Sequence, residues 1–444
     1  MTTRRIVIAI GLLSLAIAAG FDLSRLRGAA PARNMIDLSI FYCAGRAVLH
    51  RQNPYALESI RPCEHRLSHG PAWNDPAYVM PAPLPPFAFP PYAALSRLDY
   101  GAAKGVAGVA IAAAVVVAAL ALADIGIPFA AALAALALAD GFVGLFLGQV
   151  YPFTIALLAL TAAALRRERD GLAGFFAALT LIQPQIGIPI CVSLLIWAAR
   201  ARIALAAWAV ALTIAGVSIV GIGAFVQWAT QVIPGEARAE VFFWGQYSLT
   251  SVLASLGVGT GTALLAGSAS FVVMLAVATL LAKRLAERLH AREYLVLVPP
   301  ALCVIGGTFV HLASMAAAIP LALALTIAPA YSTSRWRVLA PLLLLAIPWP
   351  FAQAVKALFF SCVLVAAVIL VSLRANARAG TALLLATAAG VYLIALATPP
   401  PAPIAIVAGS VDPWRELAKL PSWIGLIALL AAAIKVAARN AAPA

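Results

Sequence analysis

The chain has 444 residues, of which 64% are hydrophobic and 10% charged, with a mean hydropathy of +1.00. A water-soluble domain of this length cannot carry so apolar a surface, and continuous rather than alternating Ala/Leu/Ile/Val runs favour a helical membrane protein over a β-barrel. Lys and Arg outnumber Asp and Glu by 30 to 16; in a membrane protein that surplus marks cytoplasmic loops and anionic headgroups, and it is not read as a nucleic-acid surface.

In chain order, residues 1–20 carry a basic start and an apolar core. They read as an uncleaved first span, with a cleavable secretory signal as the alternative. Residues 24–101 form a first long outer loop. Within it "DLSIFYCAGRAVLH" reads as an amphipathic helix lying on the membrane surface, closed by "NPY" as a turn. Asp37 stands at its start, either as a plain N-cap or as a carboxylate kept ionised by the helix dipole. Arg46 and Arg51 would meet lipid phosphates or ordinary headgroups. Cys43 and Cys63 share the loop and either pair or remain free thiols, whereas Cys191, Cys303 and Cys362 lie in apolar runs. The proline-rich stretch 80–98 is expected to lie along or dip into the outer face without crossing.

Spans follow at 102–123, 127–146 and 150–165. Basic clusters at 166–170, 200–202, 283–292, 335–337 and 374–378 are placed in the cytoplasm, so each segment between consecutive clusters leaves and returns. Residues 171–199 would span only about 43 Å as one helix, too short for two full crossings. They are expected to break at Gln183-Pro184-Gln185, leaving irregular backbone that lines a cavity or is buried in protein. Further spans are expected at 203–226, 261–282, 294–310, 312–330, 338–350, 354–373, 380–397 and 423–438, with outer loops at 227–260 and 398–422. The total is about twelve spans, within a range of about eleven to fourteen, in one integral membrane domain covering residues 1–444.

This threading gathers Asp37, Tyr42, Arg46, Gln149, Gln246, Ser248 and His311 at the outer end. His311, inside an apolar hairpin, is either a functional group or a histidine bonded to a backbone carbonyl. Asp140, Gln183 and Gln185 are weaker candidates, read equally as interhelical hydrogen-bonding groups.

The first loop, with Asp37, Tyr42, Ala44, Ala47, Asn53, Pro54 and Tyr55 at matching places, resembles that of the family 87 glycosyltransferases. These are polytopic, polyprenyl-phosphate-mannose-dependent mannosyltransferases of the GT-C class. "YVMPAPLPPFAF", "GQVYPFTIALLAL", "GFFAALTLIQPQIGIPI" and "GQYSLTSVLASLG" continue the likeness in order from about residue 30 to 330. The chain departs from the family pattern at Phe41, Arg51, Tyr151 and Gln183, where Tyr, Gly, Asn and Lys are usual.

The resemblance implies a GT-C-like all-α bundle in a bacterial inner membrane with its site facing the periplasm. It implies transfer of a sugar, expected to be mannose, from a polyprenyl-phosphate donor to a lipid or glycan hydroxyl with inversion. Asp37 would be the general base, and no nucleotide, metal or other cofactor would be required. Tyr42, Gln149 and Gln246 would bind sugar hydroxyls, and His311 the phosphate or a sugar hydroxyl, with Arg46 a weaker candidate for the same role. A transporter or flippase for a lipid-linked or small polar solute is the main alternative, although such proteins usually show internal repeats and none is found here. A non-catalytic partner in envelope assembly is a third.

Overall fold

The computed structural model describes residues 35–68, 75–243, 245–328, 336–347, 366, 369, 373 and 419–438. The expected spans at 1–20 and 380–397, most of 354–373 and most of the 398–422 loop lie outside them.

The described elements are helical throughout. The outer loop contributes α1 (Ile36–Leu49), α2 (Leu57–Leu67) and α3 (Phe89–Leu95). Then follow α4 (Tyr100–Asp124), α5 (Phe129–Leu136), a π-helical turn over 137–141, α6 (Phe142–Leu147) and α7 (Tyr151–Arg166). The chain continues through α8 (Asp170–Leu179), α9 (Pro184–Trp197), α10 (Ala199–Val220), α11 (Ile222–Gln227), α12 (Ile233–Ala239), α13 (Leu249–Ser255) and α14 (Thr260–Leu289). It closes with α15 (Tyr294–Cys303), α16 (Ile319–Ile327), α17 (Trp336–Ala346) and α18 (Leu420–Ala438).

Among the described residues, α4, α10, α14 and α18 are long and apolar enough to cross a membrane, and seven shorter apolar helices accompany them. The protein is a multi-pass membrane protein. Its faces agree with that reading. On α4, Ala103, Ala107, Ile111, Ala114 and Ala118 recur at helical spacing on the buried side, where small side chains let α7 approach closely. The opposite side exposes Val106, Val109, Val116 and Leu120, as a lipid-facing surface should. Every residue of α15 is buried, which explains why "YLVLVPPALC" shows no polar stripe: a helix apolar all round belongs at the centre of a bundle.

One end of the bundle is bound by ion pairs. Arg166 bonds Glu293 at 2.6 Å, Arg167 pairs with Asp124, and Arg292 with Asp170. These contacts interlock two basic clusters that the sequence placed on one side. The other end, about 22 Å away along the 16-residue α7, holds Tyr151 and the outer-loop helices.

The first loop differs from expectation in one respect. Instead of lying on the surface, α1 is buried from Leu38 to Gly45. It is roofed by α3, with Phe41 5.3 Å from Tyr92 between ring centroids and Tyr55 5.6 Å from Phe89. The apolar face extends round the helix because its polar interruptions are small: Ser39 bonds within the loop, and Gly45 lies against the backbone of Tyr92, where a Cβ has no room.

Cys43 and Cys63 form a disulfide that fastens α2 to α1 across a sequence separation of 20. Replacing both by Ala is expected to cost about 3 kcal/mol of loop stability by the chain-entropy relation. The loss should be read as a lower unfolding temperature and faster proteolysis within Leu57–Leu67.

Candidate active site

The backbone brings Asp37 into position first. Met35, in a left-handed conformation (φ 62°), precedes α1, and its carbonyl accepts a hydrogen bond from the Tyr100 hydroxyl at 3.2 Å. Asp37 therefore lies in the first turn of α1, inside the helix and not at the N-cap, and its carboxylate caps nothing. It accepts a hydrogen bond from the Gln149 side chain instead. That contact requires Gly148. Its φ of +75° ends α6, and a Cβ there would stand 2.7 Å from the Leu38 Cβ, so Gly148 sets the close approach that faces Gln149 towards Asp37. Burial pushes the Asp37 carboxyl up to about 6, against the lowering effects of the Gln149 bond and of His311.

A second cluster is built on the junction before residues 312–318. Residues 245–247 pair with 310–312 in a short antiparallel bridge: Leu312 N–H donates to Gly245 O at 2.9 Å and Tyr247 N–H to Val310 O. Gln246 is buried across this bridge, accepting from Val310 N–H at 3.0 Å and donating to the Glu240 carboxylate at 3.2 Å. His311 donates its Nε2 proton to the same carboxylate, with its ring 4.4 Å from that of Phe309 and 5.6 Å from that of Phe243.

The charges of this pair are mutually supporting. Burial alone would raise Glu240, but the His311 charge and the bonds from His311 and Gln246 outweigh it, holding the carboxyl below its ordinary value. Burial alone would lower His311, and Glu240 with Asp37 overrides it, so the imidazole stays protonated above its ordinary range. One helical turn earlier, Glu236 is held well above the usual carboxyl range by burial and by the charge of Glu240. Asp37, Glu240 and His311 thus lie within electrostatic reach of one another although they come from three distant parts of the chain.

A third set of bonds continues from His311. Its backbone N–H donates to Ser314 Oγ at 3.1 Å, Ser314 donates to the Tyr151 hydroxyl at 2.9 Å, and Gln185 donates to Tyr151 at 3.0 Å and to Gln183 Oε1 at 3.1 Å. The break at Gln183 is present, with the residue extended (φ −124°, ψ 90°) between α8 and α9.

Of the residues the sequence singled out, Asp37, Gln149, His311 and Gln246 fall together, and Gln183 and Gln185 join them through Tyr151. Others are used elsewhere. Tyr42 donates to Leu98 O at 2.7 Å and packs on Tyr100 beside the disulfide. Arg46 lies nine residues after Asp37 on α1, about 13 Å along the axis and on the opposite side of the helix. Ser248 is buried as the N-cap of α13, accepting from Ser251 N–H at 3.1 Å. Asp140 is buried in the π-helical turn, its Oδ1 without a hydrogen-bond partner among the described residues, and it makes no bond to the cluster.

Sequence reading missed Glu240, Tyr151 and Ser314. Glu236 and Glu240 did carry a signal: two of only 16 acidic residues in the chain, one helical turn apart in an outer loop. Among the described residues no group of three or more His, Cys, Asp or Glu side chains is arranged to hold a metal.

A carboxylate poised near neutrality, within electrostatic reach of a protonated imidazole at one end of a membrane bundle, suits transfer chemistry on a group presented at that end. The chain belongs to glycosyltransferase family 87, whose model matches residues 84–305, half of its length. It is therefore a membrane glycosyltransferase. Gln149, Tyr151, Glu240 and Gln246 lie inside the matched segment, and Asp37 and His311 flank it. No curated protein and no solved structure matches the chain.

Proposed function

We propose that this glycosyltransferase moves a sugar, expected to be mannose, from a polyprenyl-phosphate donor to a hydroxyl of a lipid or glycan, inverting the anomeric centre. Asp37 is the general base. The acceptor oxygen attacks the anomeric carbon and its proton passes to Asp37; the bond from that carbon to the phosphate oxygen breaks, releasing polyprenyl phosphate. The observation that carries the reading is the Asp37–Gln149 pair, with the carboxyl raised to about 6, a value suited to a base working near neutral pH. Gln149 orients the carboxylate, and the protonated His311 offers positive charge to the leaving phosphate.

The site is assigned to the periplasmic face of a bacterial inner membrane. The Cys43–Cys63 disulfide beside it supports an oxidising compartment, and the basic clusters at the opposite end support a cytoplasmic assignment there. The test is transfer by the purified protein from radiolabelled polyprenyl-phosphate-mannose to a membrane lipid extract. A labelled glycolipid is the expected product. Movement of the intact donor across vesicles with no covalent transfer would instead establish a flippase.

A further inference from the structure

The Tyr151 hydroxyl holds a proton that its neighbours do not use. A phenolic oxygen can donate once and accept twice. Both acceptances are taken, by Ser314 Oγ at 2.9 Å and by Gln185 Nε2 at 3.0 Å. The Ser314 oxygen in turn accepts from His311 N–H at 3.1 Å, and the Gln185 amide also donates to Gln183 Oε1 at 3.1 Å. The O–H proton of Tyr151 is left with no acceptor among the described residues. Tyr151 is 2% exposed, so that proton is not spent on bulk water, and a buried donor without an acceptor is both costly and rare.

The position of the hydroxyl indicates what would accept from it. Tyr151 begins α7 two residues after Gln149, whose side chain holds Asp37. On its other side, Ser314 ties it to the backbone of His311. One short stretch, 149–151, therefore links the base to the imidazolium. The hydroxyl is within electrostatic reach of Asp37 and Glu240 and is hydrogen-bonded to neither. Asp37, Gln149, Gln185 and His311 are each partly exposed, so Tyr151 forms the inner end of an accessible polar patch. A neutral donor beside two carboxylates suits a sugar hydroxyl, which can accept from the phenol and donate to a carboxylate, better than an anion, which the carboxylates repel.

We infer that Tyr151 donates a hydrogen bond to a hydroxyl of the transferred sugar and so fixes that sugar between Asp37 and His311. It takes the role expected of Tyr42, whose hydroxyl bonds Leu98 O instead. The inference rests on the polyprenyl-phosphate-sugar donor proposed above. It is tested on the full-length protein in detergent, with polyprenyl-phosphate-mannose and each of its monodeoxy analogues as donors for the wild type and for Tyr151→Phe. The substitution keeps the ring and should lower kcat/KM for the mannose donor by about 5- to 100-fold, the effect of leaving a substrate hydroxyl unpaired. The wild type should discriminate by a similar factor against the analogue that lacks the bonded hydroxyl. Tyr151→Phe should not discriminate against that analogue, because one bond can be lost only once. Each comparison is a ratio of two donors in one protein, so a general loss of stability cancels. If wild type and variant discriminate equally against every analogue, the Tyr151 contact is overturned and the donor class stands. A wild type that transfers sugar from none of these donors overturns the donor class, and the inference with it.

Discussion

Replacing Asp37 by Asn is expected to lower kcat by about a hundredfold to ten-thousandfold, the range attributed to a positioned general base, with the fold intact. Asparagine keeps the size of the side chain and can still bond Gln149 after its amide reorients, so a collapse of the site is not the cause. Two pH measurements separate this role from a structural one. In the wild type, kcat/KM should rise through about pH 6 as the carboxyl ionises, and that limb should vanish in Asp37→Asn. Stability should move the other way. The folded carboxyl titrates at about 6 against a reference of 3.8, so its contribution is complete below 3.8 and is lost as pH rises through about 6. The variant, which cannot ionise there, should match or exceed the wild type in unfolding temperature at pH 7. An undiminished kcat in Asp37→Asn removes the base assignment.

The helices that could be read from sequence were those whose ends are set by local chemistry. The expected span at 102–123 is Tyr100–Asp124, begun by Asp99, whose side chain accepts from Ala102 N–H. The 150–165 span is Tyr151–Arg166, started by a glycine turn and a proline and ended by the basic cluster. The break at Gln183 followed from the segment's length together with Pro184, which begins the next helix. What sequence could not show was how far burial extends around a helix. The pattern of α1 fits a membrane surface and a protein interior equally, and a disulfide with an α3 roof decided for the interior.

The site was half legible for a related reason. Asp37 and Gln149 stood out as polar groups in apolar surroundings that the threading brought to one end. Glu240 did not, because its outer loop already contains charged residues, and only the bridge between 245–247 and 310–312 carries it to His311. Tyr42 and Ser248 lie apart from these contacts because a polar side chain in a membrane protein can also satisfy backbone groups, as theirs do at Leu98 and Ser251.

Removing the carboxylate of Glu240 should be the most destabilising single change in the cluster. His311 and Glu240 side chains are 15% and 11% exposed, and breaking so buried a pair from one side costs about 3–5 kcal/mol, because the imidazolium loses its hydrogen-bonded partner and keeps only the charge of Asp37. Glu240→Ala also frees the Gln246 amide, which held residues 245–247 against 310–312, so the loss should spread to the whole bridge. Glu240→Gln, which retains an acceptor for both donors, should lose less. The pH window follows from the directions of the two shifts. Glu240, held below its ordinary 4.5, contributes stability above that value and loses it as pH falls through its folded pKa. His311, held above 6.5, contributes below that value and loses it as pH rises through its folded pKa. The difference in unfolding temperature between wild type and Glu240→Ala should therefore be largest between about pH 4.5 and 6.5 and shrink on either side. In parallel, the His311 imidazole followed by NMR should titrate at lower pH once Glu240 is gone. A flat difference across that window would show that the pair is not charged in the folded protein, and the imidazolium offered to the leaving phosphate would then have no basis.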